Sequence, residues 1–277
     1  MSVVPESLVG YALAVLNTPD ASQKAGLTRE ALQRWQAGEL PPYCDTDGDA
    51  PHVPARDCRI ERCTPGAAPK RGKGGSLASR VALVHGLAHI ESWAIDLSWD
   101  IVARFGRSCN MPREFYEDWA VVASEEARHH ELLAHRLVEL GSHYGALPCH
   151  DGLWESATET AHSLAARLAI EHCTHEARGL DVLPQTIARF RAGGDEQTAT
   201  LLESCILPEE ISHCMKGVRW FTWLANAGGA SSEDDVTTMF HAAVRRHFRG
   251  TLKPPFNETA RAAAGFKPEW YLPLVTK

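Results

Sequence analysis

Two short stretches of this chain carry the same chemistry. Glu126 and His129 stand three residues apart in Glu125-Glu126-Ala127-Arg128-His129, and Glu210 and His213 do so in Glu209-Glu210-Ile211-Ser212-His213. On a helix that spacing places both side chains on one face, about a turn apart, free to point at one ion. Each pair has an upstream glutamate at a matching interval: Glu91 precedes Glu126 by 35 residues (126 − 91), and Glu176 precedes Glu210 by 34 (210 − 176). A Glu-x-x-His from each of two helices, with a lone Glu from each of two others, is the ligand set of di-iron carboxylate bundles. The expected metal ligands are Glu91, Glu126, His129, Glu176, Glu210 and His213. The expected cofactor is two iron ions, with a manganese–iron pair as the alternative.

These residue types suit that chemistry. Hard carboxylate oxygens and borderline imidazole nitrogens hold first-row metals. Four glutamates supply four negative charges, enough to neutralise two Fe(II) ions, and two neutral imidazoles leave positions open for dioxygen. Around Glu176 the pattern allows more than one reading, because Glu171, His172 and His175 stand close by. His172 and Glu176 are four apart and share a helical face, so His172 is either an extra ligand or a supporting neighbour. Glu125, Glu209, His130 and Glu131 fall to one side of the ligand face. His85 and His89, also four apart, either face a cavity or make ordinary hydrogen bonds. Trp93 and Trp220 read as core, and Asp96 and Asp181 as candidates to orient the imidazoles.

The elements that must position these residues read as helices. Apolar periodicity predicts short helices over residues 7–17 and 28–37, the second capped by Thr28. Residues 38–75 hold Pro41, Pro42, Pro51, Pro54, Pro65 and Pro69 with several glycines, which leaves no room for a helix. Long helices are then expected from Ser76 to Gly106, from Pro112 to about Gly141, from Glu155 to Arg191 with a bend near Pro184, and from Glu196 to Leu224. Pro208 lies inside the last and should remove a backbone hydrogen bond beside the site. Residues 232–249, acidic at the start and basic at the end, form a further helix. The expected fold is all-α: a four-helix bundle over 76–230, an N-terminal part (1–75) of two helices and a wrapping loop, and a C-terminal helix and tail (231–277).

Composition narrows the partners. Of 277 residues, 44% are hydrophobic and 23% charged, as in an ordinary globular protein. A net charge of −7 disfavours nucleic acid as partner, and Lys70-Arg71-Gly72-Lys73, the one concentrated basic run, reads as a solvated linker. No apolar run is long enough to span a bilayer. The eight cysteines form no Cys-x-x-Cys pair and the start lacks a signal-peptide pattern, so reduced thiols and a cytoplasmic location are expected.

The chain also resembles a known family. Pro69-Lys70-Arg71-Gly72-Lys73-Gly74-Gly75-Ser76, Ala88-His89-Ile90-Glu91, the Glu125–His129 core, Tyr144-Gly145, His150-Asp151-Gly152-Leu153-Trp154 and Glu176-Ala177-Arg178-Gly179-Leu180-Asp181 are similar to the DUF455 proteins. That is a ferritin-like group, and the resemblance spans roughly residues 7–265. It implies a ferritin-like bundle and favours Glu176 over Glu171 as ligand. The segment His172-Cys173-Thr174-His175 and the cysteine-containing loop 44–63 depart from the family pattern. In ligand order alone the chain is also distantly similar to tRNA-modifying di-iron hydroxylases. The leading functional expectation is an O2-dependent oxidase or hydroxylase acting on a small organic substrate. An external reductase would supply electrons, since no nicotinamide or flavin fingerprint is present. The alternative is a ferroxidase or iron/manganese-handling protein without an organic substrate. Homodimerisation is compatible with either.

Overall fold

A computed structural model describes residues 4–67 and 72–275. Pro69, Lys70 and Arg71 of the basic run and the first three residues lie outside that description. The described chain is helical, and its one β-type pairing is an isolated bridge between Arg62 and Cys149. Among the described residues no helix is long and apolar enough to cross a membrane. The chain divides into two compact units, residues 1–155 and 156–277.

In the first unit, α1 (Leu8–Leu16), α2 (Ala21–Gln36), α3 (Leu77–Phe105) and α4 (Arg113–Glu139) pack in a ring, α1 on α2 and α3, and α4 on the same two. Ser7 caps α1 by accepting from Gly10 N at 2.8 Å, and Ser76 caps α3 by accepting from Ser79 N. The second helix starts earlier than its sequence pattern suggested. Asp20, not Thr28, is its cap and accepts from Gln23 N. Thr28 is instead buried in the helix, where its hydroxyl accepts from Trp99 Nε1 at 2.9 Å. Gly106 ends α3 where a Cβ would come within 2.7 Å of the Tyr116 ring, so the turn into α4 needs a residue without one. The loop after α2 wraps the helices through backbone bonds from Leu8 N to Pro41 O, Val9 N to Pro42 O and Ala55 N to Leu16 O. Among its described residues, the helical content is a single 3-10 turn, Pro65–Ala67.

Helix α5 (Gly152–Glu159) carries the boundary between the units. The long helix expected from Glu155 is interrupted after it. Ser163 caps a new start, α6 (Leu164–Arg167), and buried Arg167 ties the break together by donating to Thr160 Oγ1 and Ala157 O. From α6 the chain runs through a π-helical turn (Leu168–His175) into α7 (Glu176–Ala192). A second rod repeats that order: α8 (Glu196–Leu201), a π turn (Leu202–Ile206) and α9 (Leu207–Ala227). Pro208 follows the second π turn by two residues, inside the continuous rod and two residues before Glu210. Pro184, inside α7, cannot donate to Leu180 O; Asn257 Nδ2 donates to it instead, at 3.1 Å. Helix α10 (Glu233–His247) begins with a capping box between Ser232 and Asp235. Short helices α11 (Glu258–Ala263) and α12 (Pro268–Tyr271) follow. Phe266 and Trp270 of this tail pack on Phe240 of α10 with ring centroids 5.5 and 5.0 Å away, as expected for an aromatic-rich end.

Candidate metal centre

Each unit builds one half of the expected ligand set. In the first, Glu91 comes from α3 and Glu126 and His129 from α4, and their ligand atoms lie within 4.8 Å of one another. All three are buried, at 6%, 1% and 0% exposure. His129 Nδ1 is 3.4 Å from Glu126 Oε2 and 3.8 Å from Glu91 Oε2. In the second unit, Glu176 opens α7, Glu210 and His213 lie in α9, and their ligand atoms again lie within 4.8 Å of one another. His213 is buried, Glu210 nearly so, and Glu176 half-buried. Here too it is Nδ1 of the histidine that faces the preceding glutamate, His213 Nδ1 to Glu210 Oε1 at 3.8 Å.

The donor set fits a metal. Separations of 3.4–3.8 Å are longer than the usual N–H···O hydrogen bond. They are near the spacing of two atoms that share one ion about 2.1 Å from each. Each half offers two hard carboxylates and one imidazole, a set suited to iron or manganese rather than to a thiolate metal. Cys173 and Cys214, beside the second half, belong to none of the possible ligand clusters among the described residues. Burial pushes Cys173 and Cys214 well up from the ordinary thiol value, so both stay protonated.

Tight packing sets the second half. A Cβ on Gly217 would stand 1.8 Å from the His172 carbonyl oxygen, so α9 meets the π turn backbone to side-chain-free backbone. Glu176 and His213 lie one turn further along this contact, and a Cβ on Gly179 would come 3.7 Å from Glu210 Oε2. Residue 172 opposes 217, 176 is near 213 and 179 is near 210, which makes the rods antiparallel. The π turns end just before Glu176 and a few residues before Glu210. Such turns carry one more residue per turn than an α-helix and gather at functional sites. They also separate Glu171 from Glu176. Glu171 Oε1 accepts from Ser156 Oγ at 2.7 Å, and that hydroxyl lies 3.2 Å from His175 Nε2. Among the described residues, the cluster with Glu210 and His213 contains Glu176 and not Glu171.

The residues proposed to orient the imidazoles do other work. Asp96 is buried between Lys24 and Arg56, and Asp181 accepts from Arg261 and from Asn257 N. His85 and His89 make ordinary hydrogen bonds. His85 Nε2 accepts from Gly145 N at 2.9 Å, and His89 Nδ1 meets Tyr144 OH at 3.0 Å. Burial lowers them to about 4 and about 3, so both are neutral at neutral pH. Trp93 stacks on Trp154 and lies under the Arg56 guanidinium, 3.9 Å from its ring centre, and Trp220 is buried beside Trp223. Arg56, Tyr144 and Gly217 were not singled out as determinants of a site by sequence reasoning. Gly217 left one signal, a glycine in the middle of an otherwise regular amphipathic helix.

Comparison with known proteins places the chain in a family. The family profile described as "Protein of unknown function (DUF455)" matches residues 17–272, so the chain belongs to that family. A protein of Haemophilus influenzae (strain ATCC 51907 / DSM 11121 / KW20 / Rd), described as an uncharacterized protein, is 35% identical over 189 residues. That alignment covers 67% of this chain and 64% of the relative, so the match spans less than two thirds of the relative's length. No solved structure matches the chain.

Proposed function

We propose that this DUF455 protein is a non-haem iron protein on a ferritin-like scaffold that holds two iron ions. In this reading it acts as an O2-dependent oxidase or hydroxylase of a small organic substrate. The observation that carries the reading is the repetition: each unit independently groups one Glu with a Glu-x-x-His, with Nδ1 turned to the carboxylates in both. One such group is a common accident of helix surfaces; the same group twice, each with its histidine buried, is not. When bound, iron in such a set supplies reductive activation of dioxygen.

The chain's own residues do the rest. Glu91, Glu126, Glu176 and Glu210 offset the charge of the ions, and His129 and His213 add neutral donors. Burial of Glu91, Glu126 and His129 keeps bulk water from the first half. That closure favours oxidation of a substrate over iron traffic, which calls for an open acidic route. Electrons come from an external donor.

Anaerobic Fe(II) titration with elemental analysis tests this. The wild type should take up about two irons per chain, and Glu126→Ala or Glu210→Ala about one each. Reoxidation should then consume O2. Failure of the wild type to bind Fe(II), or a preference for one tightly held zinc, would remove the reading.

A further inference from the structure

A cavity of about 420 Å³ opens in the first unit beside the start of α2, and none of the six ligands lines it. Its volume falls in the range of small-molecule sites. Its charges are sorted by depth. At the buried end is Arg56, whose side chain is 8% exposed and which shares Asp96 with Lys24; Lys24 and Asp96 are fully buried. Two cations against one carboxylate leave an excess positive charge where water is scarce. The outer part holds Asp57, Arg59 and Asp20, with side chains 19%, 78% and 35% exposed. Two carboxylates against one guanidinium leave an excess negative charge there.

The polar atoms inside point the same way. A guanidinium has five N–H donors. Arg56 spends three, on Ser92 O, Asp96 Oδ2 and Ser92 Oγ, and among the described residues two remain. His130 also lines the cavity, though the residue is only 2% exposed. Its Nδ1 meets the carbonyl of Ala88 at 2.9 Å, a group that only accepts, so Nδ1 carries the hydrogen. No hydrogen bond runs to its Nε2 among the described residues.

We infer that this cavity binds a small zwitterion of the amino-acid type, its carboxylate toward Arg56 and its ammonium toward Asp57 and Asp20. A simple anion would answer the inner charge and be repelled by the outer one; a simple amine would do the reverse. Asp57 is ionised, since Arg59 donates to both of its oxygens and holds the carboxyl down at about 2; Asp20 supplies the second carboxylate of the outer part. The site stands apart from the iron reading and does not depend on it.

Titration calorimetry of the full chain with three matched probes tests the inference: leucine, 4-methylpentanoate (leucine without its amine) and 3-methylbutylamine (leucine without its carboxylate). Leucine should bind at least about tenfold more tightly than either partial molecule. Asp57→Asn should bring leucine down to the level of 4-methylpentanoate. Ala134→Phe, which fills the cavity from a half-buried helical position, should abolish binding. No heat with millimolar leucine, equal binding of leucine and 4-methylpentanoate, or binding that survives Ala134→Phe in a folded variant would each overturn it. Asp57→Asn changes a residue at the cavity's outer side and keeps the test decisive should Ala134→Phe not fold.

Discussion

His85 shows how a single buried side chain can make stability depend on pH. Its Nε2 accepts from two backbone donors, Gly145 N at 2.9 Å and Leu147 N at 3.4 Å. Protonation would turn that acceptor into a donor facing two N–H groups. Burial, and to a lesser degree the neighbouring His143, lower its pKa from 6.5 to about 4. The unfolded chain therefore takes up the proton first as pH falls. Stability is full above pH 6.5 and is lost as pH falls from there toward 4, by up to about 1.4 kcal/mol per pH unit for this one group. Denaturant unfolding between pH 7 and 4.5 should show the decline, and His85→Gln should make it shallower. An unchanged slope in the variant would mean that the proton goes elsewhere.

At the scale of elements, the second half-set depends on how closely two helical rods approach. Gly217 permits that approach, since any Cβ would strike the His172 carbonyl, a backbone atom that cannot rotate away. Gly217→Ala should therefore force the rods apart and destabilise the protein by about 3 kcal/mol. Because Glu176 and Glu210 with His213 sit on opposite sides of this contact, the variant should also bind about one metal ion fewer than the wild type if its fold persists. A melting temperature and metal content like those of the wild type would show that the contact is looser than its geometry. The π turns work in the same direction. Each adds a residue to a turn without ending the rod, and the second lies two residues before Pro208.

At the scale of the whole molecule, the ligands are a liability until they are filled. Four carboxylates, three of them buried, are gathered in a chain whose net charge is already −7. Burying such groups without a cation costs free energy, and ions that bind only the folded state return it. At a hundredfold excess over Kd each site adds about 2.7 kcal/mol. Fe(II) or Mn(II), added anaerobically, should raise the melting temperature, and a chelator should reverse the rise. Glu126→Ala and Glu210→Ala should each retain only part of it. A melting temperature indifferent to both metals and chelator would count against filled sites in either unit.

Much of this could be read from residue order, because helical periodicity and ligand spacing are local. The Glu-x-x-His pairs, the intervals to Glu91 and Glu176, the cap at Ser76, the acidic start of residues 232–249 and the Pro-rich loop all depend on neighbours a few residues away. What depends on distant neighbours could not be read. Thr28 looked like a cap until Trp99 was seen to occupy its hydroxyl. Asp96 and Asp181 looked like partners for imidazoles until Lys24, Arg56 and Arg261 claimed them from elsewhere in the chain. Sequence spacing left Glu171 and Glu176 in competition, and the π turn separated them, because no rule of α-helical periodicity anticipates an added residue in a turn. The amino-acid order determined which side chains could hold a metal. Tertiary packing decided which carboxylates were left for that task, since a buried charge takes whichever opposite charge or donor the fold brings to it.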